Sequence, residues 1–182
     1  RINMYCTPQT LSGIATECGS NVGGVLATAY RNRADIAEIT ITDGVVTGIT
    51  LAASPTSADA AVLSFRKGTC SLVSEATIDQ QAGTFFYTNT IAHRFAKMDA
   101  TKRASIVALS HAESIALVKD ANGVVWLVGN EEPLTAAAVS GTTGTQHTDA
   151  NEYTPSFACV SPELPLTVDA RAVEVFLGGS AW

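Results

Sequence analysis

Apolar and polar side chains alternate along several stretches of this chain, and tight-turn residues separate those stretches. Alternation with a period of two puts one set of side chains on a single face of a strand, so it predicts half-buried strands joined as hairpins. The clearest case runs from Ala37 to Ala52. Ile39 and Ile41 alternate with Glu38, Thr40 and Thr42, Asp43-Gly44 supplies a two-residue turn, and Val45, Thr47, Ile49 and Leu51 resume the pattern. A longer hairpin follows. Leu72, Ala76 and Ile78 fall on one side of a strand, with Ser71, Glu75, Thr77 and Asp79 on the other. Gln80 to Gly83 form its loop, and Gly83 can take the positive φ that such loops need. The return strand, Thr84 to about Ala96, is rich in aromatic and β-branched residues. At about 3.3 Å per residue it would reach roughly 40 Å, which predicts a bend, a bulge or a continuation into a neighbouring subunit.

One helix interrupts the strands. Asp99 is its predicted N-cap, and the helix covers about residues 99–112, with Ala104, Val107, Ala108 and His111 near one face. Lys102 and Arg103 in its first turn oppose the helix dipole. Ser114 to Lys119 and Val124 to Val128 then read as strands around an Asp120–Gly123 turn. The second of these is apolar throughout, as a strand covered on both faces should be. Val62 to Lys67, Leu134 to Val139 and Tyr153 to Val160 are further expected strands, with Pro155 placing the last at an edge or distorting its start. Ala53 to Ala60 and Ser140 to Glu152 have loop composition. Val168 to Leu177 closes the domain with Val173, Val175 and Leu177 on one face. Residues 1–34 read as an N-terminal arm or irregular segment, because Gly13, Gly19, Gly23 and Gly24 interrupt any helix there. The expectation is a single domain over residues 1–182 with its β core at 35–177. Its fold is mainly β, an antiparallel β-sandwich or small barrel with one flanking α-helix.

The chemistry is sparse. The stretch Gly19-Ser20-Asn21-Val22-Gly23-Gly24 lacks the Lys of a phosphate-binding loop and the strand-to-helix setting of a dinucleotide site. Ser110 and His111 are adjacent on the helix and cannot face each other. His93 shares a strand face with Tyr87, Ile91 and Phe95, which reads as packing or an interface, and His147 lies in a loop. Glu131-Glu132 beside Pro133 read as a solvated turn, and Trp126 as core. The four cysteines, at 6, 18, 70 and 159, form no C-x-x-C pair and no zinc spacing. They read as isolated thiols, with a Cys6–Cys18 disulfide left open. No catalytic, cofactor-binding or metal residue is assigned, and the expectation is a protein that is not an enzyme.

Composition sharpens that reading. Charged residues make up 15% of the chain, below the usual quarter, which suits a protein that covers much of its surface with other subunits and equally a plain Ala- and Thr-rich β domain. A net charge of −6 argues against gripping a nucleic-acid backbone, yet carboxylates lining a conduit would let DNA slide past without sticking. No charged-then-apolar leader opens the sequence, and no apolar run nears the roughly 20 residues of a membrane-spanning helix.

Five motifs occur in one order: Phe65-Arg66-Lys67-Gly68-Thr69, Met98-Asp99-Ala100-Thr101-Lys102-Arg103, Val118-Lys119-Asp120-Ala121-Asn122-Gly123, Glu131-Glu132-Pro133 and Glu163-Leu164-Pro165. In that order the chain resembles a family of structural proteins of tailed bacteriophages and prophages of Bacteroidetes, found among tail genes. The likeness spans roughly residues 35 to 175, and its motifs mark folding positions rather than chemistry. It implies a tail tube protein in the virion, made in the host cytoplasm. Such proteins form stacked rings, often hexameric, around the genome-delivery channel. The implied partners are further copies of the chain, other tail proteins and DNA in transient, non-specific passage, with no membrane. The loops at Ala53 to Ala60 and Ser140 to Glu152 and the N-terminal arm are the expected ring-to-ring contacts. Two other classes fit the same composition. One is a different virion component: a collar or adaptor ring, a head decoration or a fibre-attachment module. The other is a ligand- or carbohydrate-binding β domain or small enzyme.

Overall fold

The computed structural model describes residues 13–14, 19, 21–79, 81–180 and 182. Its elements in chain order are β1 (Val25–Asn32), β2 (Ile36–Thr42), β3 (Val45–Leu51), β4 (Ala61–Leu63), β5 (Cys70–Asp79), β6 (Thr84–His93), β7 (Phe95–Ala96), α1 (Ala100–Ser110), β8 (Ser114–Asp120), β9 (Val125–Val128), β10 (Thr135–Thr142), β11 (Glu152–Ser161), β12 (Leu166–Val168) and α2 (Ala170–Leu177). The strands form two sheets. The larger runs β2-β3-β12-β9-β8-β1-β4 and the smaller β10-β11-β6-β5, with β7 paired to β11. The fold is mainly β, with 49% of the described residues in strands against 13% in helices, and the sheets do not close into a barrel. Of the two architectures expected, the sandwich is the one formed. Its pairing is antiparallel except where β12 lies parallel to β3.

The central strands explain the layering. In β8 every residue from Ser114 to Val118 is buried. Ile115 and Leu117 pack with Phe176 and Leu177 of α2, whereas Ala116 and Val118 pack with Ile91 and Phe157 of the smaller sheet. Strand β9 divides likewise, Leu127 to the helix side and Val128 to the sheet side. The larger sheet is thus a middle layer covered on both faces. This is why its central strands are apolar at successive positions rather than at alternate ones.

Two expectations are corrected. The β core begins at Val25, not at residue 35. Strand β1 sits between β8 and β4, with Ala29 and Tyr30 fully buried. It carries no alternation because both its faces are covered. Most of the remaining arm, Cys6 and Cys18 included, lies outside the described residues. The closing stretch is partly helical: α2 buries Ala172, Val173, Phe176 and Leu177, and Val175 is exposed. In so short a segment, valines at every second place mimic a strand, while spacings of three and four make the buried stripe. Gly178 ends α2 at φ 85°, and a side chain there would also meet Asp59 and lie 2.8 Å from the Ala58 carbonyl. In α1, the buried side chain is Ile106, with Leu109 half-covered, while Ala104, Val107, Ala108 and His111 face solvent.

Smaller differences are local. The strand expected from Val62 to Lys67 is only β4. Strand β10 runs on to Thr142, and β11 begins at Glu152, so the loop is 143–151. Pro155 lies in an interior strand. It falls opposite His93, the last residue of β6 and next to the break at Arg94, where neither ladder pairs it; β11 keeps one register on either side. A residue without an N–H costs least where its neighbour offers no ladder bond. That break is also the interruption expected in the long return strand.

Candidate assembly surface

The ends of the two sheets differ in how they are finished. Strand β4 closes one end of the larger sheet and has only three residues. Strand β2, at the other end, is interrupted by two register shifts. Short length and bulges are the usual ways a protein blunts an open strand edge. On the smaller sheet, β10 carries one shift between Ala136 and Ala138. Strand β5 has no such protection. It pairs with β6 over ten residues in unbroken register, Cys70 with His93 through to Asp79 with Thr84. It contains no proline and no cation. Among the described residues, no strand pairs with its other side.

The same hairpin overhangs the core. Alternation puts Cys70, Leu72, Ala76 and Ile78 of β5 on the core side, opposite His93, Ile91, Tyr87 and Phe85 of β6. Cys70, Ile91 and His93 are buried between the sheets. Further out the larger sheet no longer covers the stripe, and Ile78 and Phe85 are 63% and 47% exposed. The Phe85 and Tyr87 rings meet edge to face at 5.2 Å. The opposite face of this sheet is also open. It carries Ser71, Val73, Glu75, Thr88, Thr90, Ala92, Ser140, Thr154 and Ser156, mostly small and uncharged. The Ser140 and Thr154 hydroxyls hydrogen-bond across β10 and β11 at 2.5 Å.

At the root of the hairpin, a groove runs between β4 and α1. One part, of about 260 Å³, is lined by Val62, Leu63, Phe95, Ile106, Leu109 and Phe157, with Lys102 at its rim. It continues past Ser105 toward Arg31 and Asp35. Arg31 is buried and donates to the carbonyls of Ser57 (2.8 Å), Ala58 (3.0 Å) and Phe176 (2.8 and 3.0 Å). It thereby fastens the Ala53 to Ala60 loop to the C-terminal end of α2, where the helix dipole favours a cation. Burial lowers the Arg31 pKa, against the pull of Asp35 and Asp59. Burial would raise Asp35. Hydrogen bonds from Thr56 and Ser57, with Arg31 nearby, outweigh it and hold this carboxyl below the usual range.

The residues weighed for chemistry fall in separate places. His93 is buried among Tyr30, Phe65, Phe95 and Phe157, with the Tyr30 hydroxyl 2.8 Å from Nε2. Its Nδ1 has no partner among the described residues, and burial pushes its pKa down to about 4. Ser110 donates to the Ile106 carbonyl at 2.6 Å, and His111 caps α1 in solvent. His147, Glu131 and Glu132 are exposed. Trp126 is half-buried and donates to Asp120 Oδ2 at 3.1 Å. The described part of the glycine-rich stretch is tied to the Asp120–Gly123 turn: Val22 N–H donates to Asn122 Oδ1, and Asn122 Nδ2 to Asn21 Oδ1, both at 3.0 Å. It leads into β1 rather than a helix. Cys70 and Cys159 are free buried thiols, pushed by burial to about 12 and about 11. Among the described residues no three His, Cys, Asp or Glu side chains gather as metal ligands, and no helix is long and apolar enough to cross a membrane.

Sequence reasoning missed the overhang. Ile78 and Phe85 carry the right signal for a core-facing stripe, but alternation cannot say where the opposing layer ends. No protein family, curated protein or solved structure matches this chain.

Proposed function

We propose that the chain is a structural virion protein of a tailed bacteriophage, the tail tube protein, which assembles as stacked rings around the genome-delivery channel. The observation that carries this reading is the β5 edge: ten residues, unbulged, without proline or cation, and, among the described residues, open along its outer side. Such an edge is a template for a strand from another chain. Strand β10 ends the same sheet on its far side and is exposed along nearly its whole length. Pairing β5 of one copy with β10 of the next is a head-to-tail contact, which closes into a ring when the rotation between copies allows. The low charge of the chain and the order of its five motifs support the same reading. The outer face of this sheet carries few charges, Glu75 and Asp79 at the hairpin and the Arg94–Glu152 pair, and suits a wall past which phosphates slide. Negative-stain images of the purified protein test it. Rings or tubes are expected, and discrete particles at every concentration would overturn it.

A further inference from the structure

The overhanging hairpin tip and the groove beside α1 answer each other. The tip presents Ile78 and Phe85, core-side residues that their own molecule leaves bare. The groove is an apolar hollow of about 260 Å³, room for a phenyl ring and part of a branched side chain. Their charges are opposite. Between Lys67 and Arg94 the only charged residues are Glu75 and Asp79. Lys102 lines the groove, but Asp99 matches its charge at 2.8 Å, so the positive excess comes from the groove's flanks. Arg103 follows it on α1, and Arg66 and Lys67 follow groove-lining Ser64.

Tip and groove cannot meet within one molecule. The groove includes Phe95, beside the Cys70–His93 end of the hairpin, and the tip is at its other end. Nine strand steps separate them, about 30 Å. We infer that the tip of one copy, through Ile78 and Phe85, seats in the β4–α1 groove of a second copy. The contact advances along the strand direction, whereas β5–β10 pairing advances across it. One closes rings and the other stacks them. This rests on the tail tube reading and moves the ring-to-ring contact from the loops at 53–60 and 140–152 and the N-terminal arm to the hairpin.

The test uses the full chain with two exposed substitutions, Phe85→Asp at the tip and Ser105→Trp on the groove wall, both checked for an unchanged melting temperature. Images and sedimentation then separate single rings from tubes. Cross-linking supplies a second measurement. Chains carrying Phe85→Cys and chains carrying Ser105→Cys, with Cys6 and Cys18 replaced by Ser in both, are mixed and mildly oxidised. The expected result is rings without tubes in each substituted protein, and a disulfide between the two cysteine variants that is absent when Glu38→Cys replaces Phe85→Cys. Tubes unchanged in both substituted proteins, or no such disulfide, would overturn the contact and leave the ring reading standing. A wild-type chain that never self-associates would overturn both.

Discussion

At the residue scale, two buried polar side chains set the energetics. His93 is held neutral between the sheets. Its unfolded imidazole titrates at about 6.5 and its folded one at about 4. Between those values the unfolded chain binds a proton that the folded chain refuses. Stability is therefore full above about pH 6.5 and falls as pH drops toward 4, by about 3 kcal/mol over the window. Asp35, held below the usual carboxylate range, adds its own loss only at lower pH. Urea denaturation at pH 7 and pH 4.5 checks this. The wild type should weaken, and His93→Leu should lose most of the difference. Arg31 donates to three backbone carbonyls that no other described side chain reaches. Arg31→Met should cost about 3 kcal/mol, because charge-assisted bonds are lost and the buried Phe176 carbonyl is left bare. A melting curve within a degree of wild type would contradict that role.

At the element scale, the hairpins were legible in sequence because each uses one half-buried face and a distinct turn. Asp43-Gly44 has φ of 51° and 76°, the left-handed pair that a tight hairpin turn requires. The helix start at Asp99 was legible too. Its carboxylate accepts from the Lys102 N–H at 2.8 Å, and Lys102, unfavourable to the dipole there, returns to Asp99 Oδ2 and the Ala96 carbonyl. What sequence could not yield was any element whose covering comes from elsewhere. Strand β1 lost its alternation to burial on both faces. Helix α2 was hidden by valines in a segment of two turns. The face of α1 shared by Ala104, Val107, Ala108 and His111 is exposed, and Ile106 and Leu109 do the packing. The edge of β5 is a further case, since nothing in an alternating strand says whether its outer side is paired. Val73 lies on that strand, about half-exposed, opposite Thr90. Val73→Lys should leave the monomer's stability within about 0.5 kcal/mol, as exposed substitutions do, yet block strand addition. Analytical ultracentrifugation of wild type and variant at matched concentration reads the outcome.

At the scale of the whole molecule, the architecture has a finished half and an unfinished half. The larger sheet is covered by α2 on one side and by the smaller sheet on the other, and its ends are short or bulged. Among the described residues the smaller sheet ends in an unguarded strand, carries an apolar stripe beyond its own core and turns a sparsely charged face outward. Completion by copies of the same chain accounts for all three features with two contacts, one across the strands and one along them. The most direct test of that claim is hydrogen–deuterium exchange along Cys70–Asp79, comparing dilute monomer with assembled protein. Amides on the outer side of β5 should exchange rapidly in the monomer and become protected on assembly, while those bonded to β6 change little. Assembly that leaves exchange along β5 unchanged would contradict the account.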